Sequence, residues 1–300
     1  MRILLLGKNG QVGWELQRSL APLGDLLALD SRSADYCGDL SNIDELRATV
    51  RRVRPDVIVN AAAYTSVDLA ESEPHLAHQI NAEAVSVLAQ EALSLDALLV
   101  HYSTDYVFSG KRGHAWQEQD PVAPLNVYGA SKLEGEIAIQ ACGCRHLIFR
   151  TSWVYAARGN NFAKTILHLA GTRKSLSIVD DQTGAPTGAE LLADITAQAI
   201  RSVFRQPELG GLYHLAAAGG TSWFDYARFV LEQAEAFGAK LNIASNQLTA
   251  VSTAAYPTPA LRPANSRLNS QKLERAFALH LPDWQTGVVR MVKEKLERAL

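Results

Sequence analysis

The chain opens Met1-Arg2-Ile3-Leu4-Leu5-Leu6-Gly7-Lys8-Asn9-Gly10-Gln11-Val12-Gly13, and the fold class turns on this stretch. Residues 2–7 form a continuous apolar run without polar alternation, the pattern of a parallel strand covered on both faces. A glycine-rich turn follows at once, Gly7-x-x-Gly10-x-x-Gly13, a relative of the G-x-G-x-x-G turn. Its small residues let the backbone approach a pyrophosphate, and the amphipathic segment from Gln11 aims its first amides at that charge. The turn and the start of the segment after it are therefore expected against a dinucleotide.

Outward from this turn, strands and helices alternate. Residues 26–30 read as the second strand, ending where a dinucleotide fold meets the adenosine ribose. Asp30 suits a free 2′-hydroxyl and Arg32 a 2′-phosphate, so the sequence leaves NADH against NADPH open. Ser41 is the expected N-cap of a helix over 42–53 with Asp44 and Glu45 in its first turn; Asp39 before it is either an adenine contact or a loop acid. A buried strand over 57–63 runs into the small-residue turn Asn60-Ala61-Ala62-Ala63, and a helix is expected over 76–93. The strand over 98–102 delivers Ser103-Thr104-Asp105-Tyr106 to the edge where open α/β sheets bind ligands. After a loop over 109–126, a helix runs from Tyr128 to about residue 141, followed by a strand over 146–150. Five alternations make a doubly wound parallel α/β sheet.

Tyr128 and Lys132 stand four apart in Val127-Tyr128-Gly129-Ala130-Ser131-Lys132, on one face of a helix. An ammonium beside the phenol would lower its pKa from about 10 and ready it to exchange a proton with a carbonyl oxygen. Thr104 either donates a hydrogen bond to such a carbonyl or is a turn or cap residue at the strand end. Taken alone, Tyr-x-x-x-Lys is also an ordinary surface pair.

Composition sets the wider limits. With 300 residues, 29 basic against 31 acidic side chains and 47% hydrophobic content, the chain reads as an ordinary globular protein with no charge footprint for nucleic acid or an anionic membrane. No apolar run reaches the length of a membrane span, and a cytoplasmic location is expected. Cys37, Cys142 and Cys144 are too few for a disulfide framework. Cys142-x-Cys144-x-His146 supplies three donors at a spacing unlike common zinc motifs, and is otherwise a helix-to-strand connection.

The segments Asn60-Ala61-Ala62-Ala63-Tyr64-Thr65, Ser103-Thr104-Asp105-Tyr106-Val107-Phe108-Ser109-Gly110, Pro124-Leu125-Asn126 with Tyr128 to Lys132, Arg150-Thr151-Ser152-Trp153-Val154-Tyr155 and Asp181-Gln182-Thr183-Gly184-Ala185-Pro186-Thr187 resemble the extended short-chain dehydrogenase/reductase family. The resemblance implies a Rossmann-like N-terminal sheet over 1–152 plus about 186–206, and a smaller mixed α/β substrate domain over about 153–185 and 207–300. It implies NADPH or NADH as cofactor, with Gly7, Gly10, Gln11, Val12, Asp39, Leu40, Ala63, Tyr64, Thr65 and Tyr102 as contacts, and a dTDP-sugar substrate met by Thr104, Asp105 and Trp153. Tyr128 would give the proton, Lys132 would hold the nicotinamide ribose, and the reaction would be reduction of a 4-keto group. Tyr106 stands where sugar-nucleotide dehydratases of this family have Glu, which favours reduction over elimination. An epimerase or dehydratase, and a non-catalytic nucleotide-binding subunit, are the alternatives. Some members are magnesium-dependent homodimers with interface glutamates, and Glu15 and Glu190 sit at the matching places.

Beyond residue 150 the pattern loosens. Trp153 either stacks on a sugar or base or fills core. Helices are expected over 161–169, 189–204, 223–236 with Ser222 as N-cap, and 284–300; short strands over 176–180 and 212–215. Residues 181–187 read as a turn-rich loop over the site. Three prolines forbid a helix over 256–263. Arg262 and Arg267 are either diphosphate ligands or surface ion-pair arginines.

Overall fold

The computed structural model describes residues 1–297. Six parallel strands form one sheet: β1 (Arg2–Leu6), β2 (Asp25–Leu29), β3 (Val57–Asn60), β4 (Leu98–Thr104), β5 (His146–Thr151) and β6 (Gly211–His214). They lie in the order β6-β5-β4-β3-β1-β2. The chain leaves β1 on one side and β3 on the other, so the crevice beyond the ends of β1 and β3 is the topological switch point at which such sheets bind ligands.

The period of two along each strand divides the core. Ile3, Leu5, Val57, Val59, Leu98, Val100, Leu147 and Phe149 face one side, packed with Leu16 and Leu20 of α1 (Gln11–Leu20) and with Leu192, Ile195 and Ala199. Leu4, Leu6, Ile58, Leu99 and Ile148 face the other, against Leu46 and Val50 of α2 (Ile43–Val53), Leu88 of α3 (Ala84–Leu95) and Ile139 of α4 (Val127–Cys142). Both faces being covered is why these strands read as unbroken apolar runs.

Several expected boundaries shift for local reasons. The second strand begins at Asp25, whose amide donates to Met1 O (2.9 Å), and Asp30 already lies beyond it, its amide donating to Ser33 Oγ (3.0 Å). Asn42, not Ser41, caps α2: its side chain accepts from the Glu45 amide, while Ser41 is taken by Asp39 Oδ1 through both hydroxyl (2.8 Å) and amide (2.9 Å). The helix expected over 76–93 is a short helix Pro74–His78, one π turn Gln79–Glu83 and then α3. At the π turn Asn81 faces inward and clamps Tyr64, accepting from its amide (2.9 Å) and donating to its carbonyl (3.0 Å). The loop over 109–126 is tied down by Trp116, which stacks on Phe108 at 4.5 Å and donates from Nε1 to Asn265 O (2.9 Å).

In the second half, α5 (Phe162–Thr172), α7 (Trp223–Ala236) and α8 (Trp284–Glu297) share an aromatic core of Phe162, Trp223, Tyr226 and Trp284. Between them in sequence, α6 (Ala189–Arg205) returns to the sheet and packs on α1. Ser222 caps α7, accepting from the Asp225 amide (3.1 Å). Ser177–Val179 pairs with Thr249–Val251, and Thr183–Gly184 with Thr221–Ser222. The last helix was expected to residue 300; residues 298–300 lie outside those described. No helix among the described residues is long and apolar enough to cross a membrane.

Candidate active site

A cavity of about 980 Å³ opens beyond the carboxyl ends of β1, β3 and β4, at the upper end of the size usual for ligand clefts. At one end its floor is backbone. Gly7 has φ +85°, and a Cβ there would sit 2.7 Å from Ala62 N; a Cβ on Gly13 would fall 2.0 Å from Gly7 O. Only glycine permits this turn, and the resulting hollow beside the N-terminus of α1 fits a dinucleotide diphosphate. Gly7, Gly10, Gln11, Val12, Asp30, Asp39, Leu40, Ala63, Thr65 and Tyr102 all line the cavity. Asp30 is held as a carboxylate well suited to accept from a ribose: bonds from Ser33, the Arg32 amide and Asn9, together with Lys8, keep its pKa below the ordinary value.

Two expected cofactor contacts stand apart. Arg32 is exposed and outside the lining, joined to Asp30 through its backbone amide alone. Tyr64 is also outside it, because Asn81 fixes its backbone and its hydroxyl donates to Glu73 Oε2 (2.6 Å).

At the other end the cavity is lined by side chains. Thr104 closes β4, and its Oγ1 donates to Asp105 Oδ1 (3.1 Å) and accepts from the Tyr106 amide (3.1 Å), with the Tyr128 phenol beside it. α4 is held against this edge by Asn126, its N-cap, which accepts from Gly129 N (2.8 Å), and by Gly129 itself, where a Cβ would meet Tyr106 O at 2.3 Å. Tyr106 and Tyr128 meet edge to face at 5.8 Å. Burial pushes the Tyr128 phenol up to about 12, partly offset by Thr104. Burial likewise raises the Asp105 carboxyl to about 7, and its Oδ2 has no partner among the described residues.

Lys132 departs from expectation. It is buried, and its amine is hydrogen-bonded to His101 Nε2 (3.1 Å), not to the Tyr128 phenol. Burial draws its pKa down to about 7, with Glu136 opposing. The i, i+4 spacing places both side chains on one face, but β4 supplies the nearer partner.

Trp153 lines the cavity in a left-handed backbone conformation, φ +48°, unusual for a bulky residue. Trp223 stacks on it at 3.5 Å and 11°, and Gly184 lies close enough that a Cβ would be 2.4 Å from its ring. Trp153 thus has its ring already occupied by Trp223 and Gly184, and stacking on a base or sugar would require displacing one of them. Trp223, also in the lining, was missed by sequence reasoning: it is 70 positions on, and nothing local marks it.

The remaining candidates resolve differently. Arg262 pairs with Asp68 (2.7 Å), the ion-pair alternative, while Arg267 donates to Asn265 Oδ1 (3.0 Å) and Gly113 O (2.7 Å). Cys142, Cys144 and His146 form the connection from α4 to β5 through Gly143 at φ +74°, and the described residues contain no group of three or more His, Cys, Asp or Glu able to hold a metal. Glu15 and Glu190 face a separate cavity of about 20 Å³; Glu190 lies 3.5 Å from Arg290 and Glu15 lies 3.6 Å from Arg18. Burial raises the Glu190 pKa, and Glu15 and Glu294 add to the rise.

Residues 1–297 match the family model described as the RmlD substrate binding domain. The dTDP-4-dehydrorhamnose reductase of Shigella flexneri is 60% identical over 98% of both chains. Among solved structures, the dTDP-4-dehydrorhamnose reductase of Bacillus anthracis in complex with NADP is 36% identical with a TM-score of 0.87, covering 98% of this chain and 99% of that one. The UDP-glucose 4-epimerase of Thermus thermophilus with NAD, at 20% identity and a TM-score of 0.80 over the whole of both chains, shares the fold.

Proposed function

This chain belongs to the RmlD substrate binding domain family, within the extended short-chain dehydrogenases/reductases, and from that membership we propose how its site works. The protein is an NAD(P)H-dependent oxidoreductase that reduces the C4 keto group of dTDP-4-dehydro-β-L-rhamnose, giving dTDP-L-rhamnose. The observation carrying this reading is that the glycine cradle at Gly7 and the Thr104–Tyr128 pair open into one cavity.

The nicotinamide, when bound, supplies the hydride. Gly7, Gly10, Gln11 and Val12 would hold the diphosphate, Asp30 the adenosine ribose, and Lys132 the nicotinamide ribose. Tyr128 Oη gives its proton to the C4 oxygen, and Thr104 turns its one hydroxyl proton from Asp105 Oδ1 to that oxygen, holding it beside the phenol. With the phenol pushed up to about 12, Tyr128 enters the reaction protonated, as a reduction requires. Asp105 and the edge of Trp153 orient the sugar. Tyr106 stands in the place of an eliminating acid, which supports reduction over dehydration.

The product would feed rhamnose-containing cell-surface polysaccharide such as O-antigen, in the cytoplasm. The protein would act as a homodimer, with Glu15 and Glu190 supplying half of a magnesium site. Two carboxylates plus water suit that ion, and the small cavity that they share is the supporting observation.

Purified protein mixed with the 4-keto dTDP-sugar should consume added NADPH or NADH mole for mole. Conversion of the sugar without consumption of added cofactor would identify an epimerase or dehydratase instead.

A further inference from the structure

Trp153 lies two residues past the end of β5 and leaves the sheet at φ +48°, a conformation that a bulky side chain keeps only where its surroundings enforce it. The enforcement comes from one two-stranded ribbon, in which Thr183 pairs with Ser222 and Gly184 with Thr221. Gly184 stands on one strand, and Trp223 is the residue that follows the other. Both meet the Trp153 ring.

Together they close both of its faces. Trp223 stacks on the ring at 3.5 Å and 11°. A Cβ built on Gly184 would lie 2.4 Å from Cε2 and 2.8 Å from each of Cδ2 and Cζ2. Cε2 is a ring-fusion carbon, which a neighbour can reach first only from above or below the plane. The face under Trp223 is already filled, so Gly184 covers the other. The ribbon itself is fixed on both strands. Ser222 Oγ donates to Asp180 Oδ1 (2.5 Å) and caps α7 by accepting from the Asp225 amide (3.1 Å). The Thr183 amide donates to Ala264 O (2.8 Å), and its carbonyl accepts from the Ser266 amide (2.7 Å). Phe162 of α5 packs on the Trp223 ring at 4.4 Å.

We propose that Trp223 is a positioning residue for the sugar nucleotide: with Gly184 it forms a clip that holds Trp153 in one orientation and leaves the edge of the indole to meet the ligand. This rests on the sugar nucleotide occupying the end of the cavity that Trp153 and Trp223 line. Trp153 comes from the sheet and the ribbon from the second half of the chain, so the clip fixes the two walls of that end against each other before anything binds. A side chain ordered in advance loses less freedom on binding. Loosening the clip therefore weakens binding of the sugar nucleotide and leaves the proton donor on α4 in place.

The clip can be tested without substrate. In ¹⁹F spectra of protein labelled with 5-fluorotryptophan, the Trp153 line is identified by its absence from Trp153→Phe. Wild type and Trp223→Phe, which keeps a ring to stack, should give one narrow Trp153 line, and Trp223→Leu a broadened or divided one. A single narrow line in Trp223→Leu overturns the proposal, whatever the substrate. Kinetics test the consequence: Trp223→Leu should raise the KM for dTDP-4-dehydro-β-L-rhamnose about tenfold, with kcat and the NADPH Kd close to wild type, and Trp223→Phe should recover most of the loss. Gly184→Ala, at a backbone position of negative φ, should broaden the Trp153 line and raise KM in the same way, and it carries the test if Trp223→Leu does not fold. An unmoved KM in a variant whose Trp153 line has broadened overturns the positioning role, as does an equal rise in Trp223→Leu and Trp223→Phe, or a fall in kcat alone. A wild type that does not oxidise NADPH with this sugar removes the reductase reading and leaves the clip to be judged by the ¹⁹F spectra.

Discussion

The two ends of the cavity are built by different means. Where a dinucleotide would lie, the surface is backbone and small residues from the first 65 positions: the Gly7–Gly13 turn, Asp30, and the alanines after β3. Where the sugar would lie, it is large side chains from distant positions, Thr104, Tyr128, Trp153 and Trp223, locked by stacking and edge contacts. The first end works by close approach, so adding atoms should damage it. The second works by filled volume and placed protons, so removing atoms should damage it.

Among the variants that probe binding, the largest effect expected of such a removal is at Lys132. Lys132→Met keeps an unbranched apolar stem but deletes the amine, and kcat/KM should fall on the order of 10³-fold, with weakened cofactor binding measurable by fluorescence titration. Retained NADPH affinity would take the lysine out of the ribose site. The addition test comes next. Gly7→Ala places a Cβ against Ala62 N in a left-handed conformation and should cost about 1–3 kcal/mol of stability, with the rise in Tm caused by NADPH much reduced. An unchanged rise would show that the cradle does not hold the diphosphate.

Trp153→Ala should raise the KM for the sugar nucleotide about tenfold, roughly 1.4 kcal/mol, while the NADPH Kd stays nearly the same. The near-ultraviolet circular dichroism of the Trp153–Trp223 stack should disappear with it. Loss of NADPH binding in a folded variant would move Trp153 to the cofactor end. The smallest effect is at Arg32, which is exposed and outside the lining: Arg32→Ala should weaken NADPH more than NADH, by under about 1 kcal/mol. Equal losses would remove it from discrimination between the two.

The same contrast explains what could be read from the chain alone. The sheet was legible because both faces of each strand are buried, so Ile3 to Leu6 and Val57 to Val59 announce themselves without any partner. The glycine turn was legible because its constraint is local. Tyr128 was singled out through its spacing to Lys132, yet the neighbour of Lys132 was not legible, since His101 lies 31 residues earlier on a strand whose side-chain neighbours depend on how α4 packs. Trp223 was missed for the same reason. Arg262 and Arg267 looked free for a diphosphate only because Asp68 and Asn265 come beside them through tertiary packing.

The central claim is that Tyr128 supplies the proton in a site whose other functions do not depend on it. Tyr128→Phe keeps the ring, its edge contact with Tyr106 and the packing of α4, and removes one hydroxyl. Single-turnover oxidation of prebound NADPH by dTDP-4-dehydro-β-L-rhamnose should slow on the order of 10²–10⁴-fold in this variant, with the NADPH Kd and Tm close to those of the wild type. Oxidation at the wild-type rate in Tyr128→Phe would contradict the account.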